Sequence, residues 1–161
     1  MRFHAEHRFA SPPPAVAEVL ADADFYRSLD LADVAVPEVL AAVSDGTSAV
    51  VRLRYEFTGH LDPLVRRLLA GRPLTWLQEL RLDRADGTGE LELHAEAAPG
   101  RLRGRATFQL VAEGAGTLRR LDGELVVALV GLGRGVEGRI VPGILARLDR
   151  EADAVRARLA V

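Results

Sequence analysis

The stretch Gly133–Leu159, GRGVEGRIVPGILARLDREADAVRARL, decides the architecture of the chain. Its apolar residues Val136, Ile140, Ile144, Leu148, Ala152, Val155 and Leu159 follow at steps of four, four, four, four, three and four, the spacing that gathers side chains on one face of an α-helix. Val141 and Leu145 widen this stripe, and Arg147, Arg150, Glu151 and Arg158 are expected on the far, solvated side. At 1.5 Å per residue the segment makes a rod of roughly 40 Å, long enough to cross a whole sheet. Pro142-Gly143 is expected to loosen or kink its first half, because proline removes one backbone hydrogen bond and crowds the preceding turn.

Upstream of the helix the period drops to two. Leu74–Asp83, Thr88–Glu96, Arg101–Ala112 and Thr117–Val130 read as a meander of strands, with turns at Asp86-Gly87, Ala98-Pro99-Gly100 and Glu113–Gly116. This placement sets Glu96 opposite Arg101, His94 opposite Arg103, Glu92 opposite Arg105 and Arg105 opposite Glu124, so opposite charges share the outer face. A slip of one residue would bury them, which pins the register. The inner face then carries Leu91, Leu93, Ala95, Leu102, Ala106, Phe108, Leu110, Leu121, Leu125, Val127 and Leu129.

Val34–Val43 and Ala49–Phe57 form a hairpin around Ser44-Asp45-Gly46-Thr47. Between this hairpin and the meander, Asp62 can cap and Pro63 can start a short amphipathic helix. That helix carries Leu61, Leu64, Val65, Leu68 and Leu69 and stops at Gly71. At the start of the chain Arg2–Ala10 alternates as a half-buried strand, with Phe3, Ala5, His7 and Phe9 on one face. Ser11 is the expected N-cap of a first short helix through Val16, Val19 and Leu20, and Asp22-Ala23-Asp24 opens a second through Phe25, Tyr26 and Leu29. The expected fold is α+β of the helix-grip type. A seven-stranded antiparallel sheet wraps around the long C-terminal helix, with two short helices after strand 1, in a single domain over 1–161.

Composition agrees with one domain: 161 residues, 48% of them hydrophobic, suffice for one core. Twenty-one basic residues, all arginine, face 23 acidic ones for a net charge of -2, which argues against nucleic acid as a partner. The absence of cysteine excludes disulfides, thiolate catalysis and iron–sulfur ligation. No run of 18 apolar residues occurs and no apolar leader follows Met1, so a cytoplasmic protein without stable membrane insertion is expected.

The opening strand Phe3–Phe9, running into Ser11-Pro12-Pro13-Pro14 and a first helix that reaches Phe25-Tyr26, resembles that of the START-like (SRPBCC) superfamily, which includes polyketide cyclases and lipid-transport proteins. Asp62-Pro63-Leu64-Val65-Arg66-Arg67 before the Trp76 strand and Gly133-Arg134-Gly135-Val136-Glu137 entering the last helix resemble a bacterial family of unassigned function within it. The resemblance covers nearly the whole chain. It implies a cavity between sheet and helix for a small hydrophobic or amphipathic ligand, lipid or polyketide-like, and implies no single activity.

Enzymatic signatures are weak. Gly133–Gly138 fits G-x-G-x-x-G, but no parallel strand follows it, so it reads as a turn into the helix. His4 and His7 lie three apart on a strand and face opposite sides, which excludes a shared metal ion; no metal and no cofactor are expected. None of the four serines lies in a nucleophile elbow, so no catalytic residue is assigned. Parity sends His7, Tyr55, Trp76 and Gln78 inward. With Phe108, Glu137, Ile140 and Ile144 they are the expected ligand-cavity residues, the polar ones orienting a ligand in an apolar space.

Two other functions compete. One is a cyclase- or dehydratase-like enzyme with His7 as general base and Tyr55 as proton donor. The other is an interaction module with a packed core, docking through Leu61, Leu64 and Leu68. Oligomeric state is not encoded in these patterns.

Overall fold

The computed structural model describes residues 1–129, 131 and 133–161. Seven antiparallel strands form one open sheet in the order β1-β7-β6-β5-β4-β3-β2. They are β1 (Arg2–Phe9), β2 (Glu38–Ser44), β3 (Ser48–Glu56), β4 (Thr75–Asp83), β5 (Thr88–Ala95), β6 (Leu102–Glu113) and β7 (Gly116–Val127). Helices α1 (Pro13–Ala21) and α2 (Ala23–Arg27) carry the chain from β1 to the opposite edge at β2, and α3 (Pro63–Leu68) lies between β3 and β4. The final helix α4 (Gly133–Leu159) packs on the inner face against β7, β1 and α1. The fold is α+β helix-grip.

Most of the register follows the charge pattern. His94 pairs with Arg103, Glu92 with Arg105, and Arg105 with Glu124. Glu96 departs from it: its backbone N–H stays with the carbonyl of Thr75, and its carboxylate meets Arg54 at 2.8 Å instead of Arg101. The cause is the turn after β5, where the N–H groups of Arg101 and Leu102 both bond the carbonyl of Ala98 and take Arg101 out of the ladder.

Three other boundaries differ from the sequence reading. β2 begins at Glu38 because Pro37 has no N–H for the ladder; Val34 makes only isolated bridges to Leu31 and Phe57. The N-cap of α1 is Pro12, without a side-chain cap, while the Ser11 carbonyl accepts the Thr117 hydroxyl at 2.7 Å. β7 ends at Val127; the expected extension to Val130 ends outside the described residues.

The turn and cap signals elsewhere have clear physical causes. Asp45 accepts the N–H groups of Thr47 and Ser48 in the β2–β3 hairpin, which holds its carboxyl down to about 2. Asp62 caps α3 by accepting the Leu64 N–H at 2.9 Å, and the helix closes at Ala70 rather than Gly71: Ala70 takes the left-handed conformation at φ 51°, and the N–H groups of Ala70 and Gly71 return to the carbonyls of Arg67 and Arg66. Helix α4 is continuous through Pro142.

The core has two lobes. One, under α1, α2 and the C-terminal half of α4, contains Phe9, Phe25, Tyr26, Leu53, Phe108 and Leu148. The other, under α3 and the N-terminal half of α4, contains Val65, Leu69, Ala95, Leu102, Leu125 and Val136. The ring of Phe108 lies over Gly89, its partner across the β5–β6 ladder, and a Cβ there would overlap it.

Gly89→Ala is therefore expected to displace Phe108 and destabilise the chain by about 1–3 kcal/mol in urea unfolding. Gly100→Ala, where a new Cβ meets nothing within 4 Å, is expected to leave stability unchanged. Equal midpoints for the two variants would contradict this packing.

Candidate functional site

A chain of polar side chains crosses the interior beneath α4. Parity on β1 turns His7 inward, and the ladder sets it directly opposite Arg119 of β7. Arg119 donates to His7 Nδ1, from Nε at 3.3 Å and with Nη2 at 3.1 Å, while its Nη1 donates to Glu151 Oε1 at 3.2 Å. On the other side of Glu151, Oε2 lies 3.6 Å from Arg147 Nη1, one helical turn earlier on α4. Arg147 Nη2 donates to Gln78 Oε1 at 3.0 Å, and its guanidinium lies 5.1 Å over the ring of Tyr55. Tyr55 in turn stacks on Trp76, its cross-strand partner, at 5.1 Å and 10°.

This arrangement corrects the expected far side of α4. Arg147 and Glu151 are 7% and 5% exposed and face the sheet, whereas Arg150 and Arg158 face solvent. The two flank the apolar stripe closely enough to turn inward, and each finds an opposite charge or a carbonyl there. Arg119, 1% exposed, also faces inward, in the parity of Leu121 and Leu125.

Because Arg119 donates to Nδ1 of His7, that nitrogen is an acceptor and Nε2 carries the proton, donated to Asp149 Oδ1 at 3.0 Å. Burial and the Arg119 charge both hold the His7 ring below the ordinary histidine value of 6.5, against the pull of Asp149 and Glu151. Burial likewise pushes the phenols of Tyr55 and Tyr26 up. Among the described residues, the Tyr55 hydroxyl and Arg147 Nη1 are buried without a hydrogen-bond partner, a condition that costs about 1–3 kcal/mol per group.

Beside this chain lies a cavity of about 310 Å³ between the sheet, α3 and the N-terminal half of α4. Trp76, Val65, Leu93, Leu102, Leu125, Ile140 and Ile144 supply its apolar lining, Arg147 reaches it from the helix, and His60, Asp62, Arg139 and Arg150 add polar groups. Arg139 Nη1 donates to Asp62 Oδ2 at 2.6 Å, tying α3 to α4. A broader depression of about 760 Å³ lies over the outer sheet face at Arg81, Glu90, Thr107 and Arg120; its charged, exposed side chains read as a solvated face.

The eight expected cavity residues divide between these settings. Trp76, Ile140 and Ile144 line the cavity; Tyr55 and Gln78 touch Arg147 at its wall. His7 and Phe108 are not among the lining residues: His7 is engaged by Arg119 and Asp149, and Phe108 fills the core over Gly89. Glu137 accepts the Val127 N–H at 3.0 Å and pairs with the Met1 amino group at 2.9 Å, which together hold its carboxyl below the usual range. Leu61, Leu64 and Leu68 are half-buried against the second core lobe rather than exposed.

Among the described residues no three His, Asp or Glu side chains gather as a metal site. His4 turns outward to Asp122. No helix there is long and apolar enough to cross a membrane.

A family model described as protein of unknown function (DUF2505) matches residues 4–159. The chain belongs to the DUF2505 family. No curated protein matches it. Solved structures similar to this DUF2505 chain include a Thermus thermophilus protein (TM-score 0.63, 19% identity, covering 98% of this chain and 99% of that one). Others are the Zhui aromatase/cyclase of a Streptomyces species (0.59, 21%, 99% and 96%) and a START superfamily protein from Mycobacterium smegmatis (0.60, 16%, 98% and 95%). At these identities they establish the fold, which is START/SRPBCC-like.

Three variants test the polar chain. Glu151→Gln leaves two buried guanidiniums without a carboxylate and is expected to lose about 3–5 kcal/mol in urea unfolding. Tyr55→Phe removes an unpartnered buried hydroxyl and should keep or raise the melting temperature. A histidine held below its ordinary value favours the fold above that value and loses the contribution as pH falls beneath it. Stability should therefore drop below about pH 6.5, and His7→Gln should flatten the drop; an unaltered profile would contradict the neutral His7.

Proposed function

We propose that this DUF2505 chain encloses a compact hydrophobic or amphipathic molecule between the sheet and the N-terminal half of α4. The observation that carries the reading is the cavity of about 310 Å³, at the lower end of the range for small-molecule sites, with an apolar wall and a few convergent polar groups. Helix α3 acts as its lid. The lid is capped by Asp62, and the same carboxylate is held by Arg139 of α4, so one side chain both starts the lid and fastens it.

The fold neighbours lend support: one is an aromatase/cyclase and another a START superfamily protein. A cytoplasmic carrier or binding protein is the role that fits. A cyclase relying on His7 as base has less support, since both ring nitrogens are engaged within the protein and neither faces the cavity wall.

Native mass spectrometry of the protein purified from its own cell extract tests the reading. The expected result is a mass increment that disappears on denaturation, and that is lost in Ile144→Trp, which places an indole in the cavity. A mass equal to the polypeptide, with no thermal shift from a lipid and polyketide panel, would contradict it.

A further inference from the structure

Trp76 stands on the inner face of β4 with one neighbour on each side of it. The ladders set Tyr55 of β3 directly opposite on one side and Ala95 of β5 directly opposite on the other, and such pairs stand side by side, about 4.5–5.5 Å apart. Tyr55 covers one face of the indole, its ring parallel to within 10° at 5.1 Å. Ala95 ends at Cβ and is too short to cover the other. The cavity meets the indole on that second side: Trp76 and Ala95 line it, and Tyr55 does not.

The bare face is also held in place. Tyr55 is fully buried and its ring lies under the Arg147 guanidinium, so the indole rests on a backing that cannot give way without disturbing a packed core. Ile140 and Ile144 of α4 close the space above the sheet, and Leu102 of β6 bounds it beyond β5. Alanine in this row opens about one strand spacing, ~4.8 Å, beside the indole, which suits a flat ring better than a puckered one. A planar aromatic body placed there adds a third member to the Tyr55–Trp76 stack and gains from offset parallel packing. An alkyl chain or a saturated ring buries its carbon against the indole without that gain.

We infer that the occupant presents a fused, planar aromatic ring system, which stacks on the bare face of Trp76 over Ala95, rather than a flexible acyl chain. This rests on the cavity-binding reading above and names the class of ligand the cavity takes.

Calorimetric titration of the full chain with three alcohols of equal carbon count, 2-naphthol, decahydro-2-naphthol and 1-decanol, separates ring stacking from hydrophobic burial. Wild type is expected to bind 2-naphthol at least about threefold more tightly than either saturated alcohol. Trp76 is the only tryptophan of the chain, so its indole N–H gives a single proton resonance. 2-Naphthol should move that resonance by its ring current, while decahydro-2-naphthol leaves it nearly in place. Trp76→Phe keeps a ring face and should keep part of the preference; Trp76→Leu should abolish it while still binding decahydro-2-naphthol. Equal or tighter binding of a saturated alcohol by wild type, or a preference that survives in Trp76→Leu, would overturn the stacking site and leave the cavity reading in place. Binding of none of the three would overturn both.

Discussion

Glu151 stands on the buried side of α4 between two guanidiniums, Arg119 from the sheet and Arg147 from its own helix. A carboxylate taken out of water is tolerable only with partners at hand, and a guanidinium likewise. Each of the three therefore fixes the position of the others, and together they set the rotation of α4 over the sheet. The constraint extends in both directions: through Arg119 to His7 and the rim at Asp149, and through Arg147 to Gln78, Tyr55 and Trp76. The C-terminal half of the helix is thereby seated on a filled core lobe. The N-terminal half passes over the cavity, where Gly143 and Ile144 form part of its wall.

The consequence for function is a cavity whose wall is mostly hydrocarbon and whose one buried cation belongs to a network the fold needs for its own sake. Arg147 cannot be relaxed away from the cavity without leaving Gln78 and Glu151 short of a partner. On the proposed binding reading, a site of this kind is organised before a ligand arrives, which lowers the ordering cost of binding. The Asp62–Arg139 pair that ties α3 to α4 is partly exposed, so it contributes little to stability.

Much of the fold was legible because the period-2 and period-4 patterns are written in residues whose burial leaves no alternative. The stripe from Val136 to Leu159 and the cross-strand pairs Glu92–Arg105 and Arg105–Glu124 specify helix, strands and register together. The errors arose where a backbone group, rather than a side chain, decides: Pro37 at the start of β2, and the Ala98 carbonyl that draws Arg101 out of the β5–β6 ladder. The site was less legible. Parity sends Tyr55, Gln78 and His7 inward, yet Arg147 reads as solvated on charge alone and the pattern reading leaves Arg119 unassigned. The available signals were Arg119 in phase with Leu121 and Leu125, and Arg147 with Glu151 four residues on, bordering the apolar stripe. Which residues leave a void cannot be read from pattern at all, because it depends on how α3 and α4 meet.

The most direct measurement is a crystal structure of the protein purified without denaturation, at a resolution that defines the cavity contents. Density is predicted between α3, α4 and the sheet for an occupant lying against Trp76, Leu93, Ile140 and Ile144, with Glu151 held between Arg119 and Arg147. A cavity closed by Trp76 and the α3 leucines, with no such density, would contradict it.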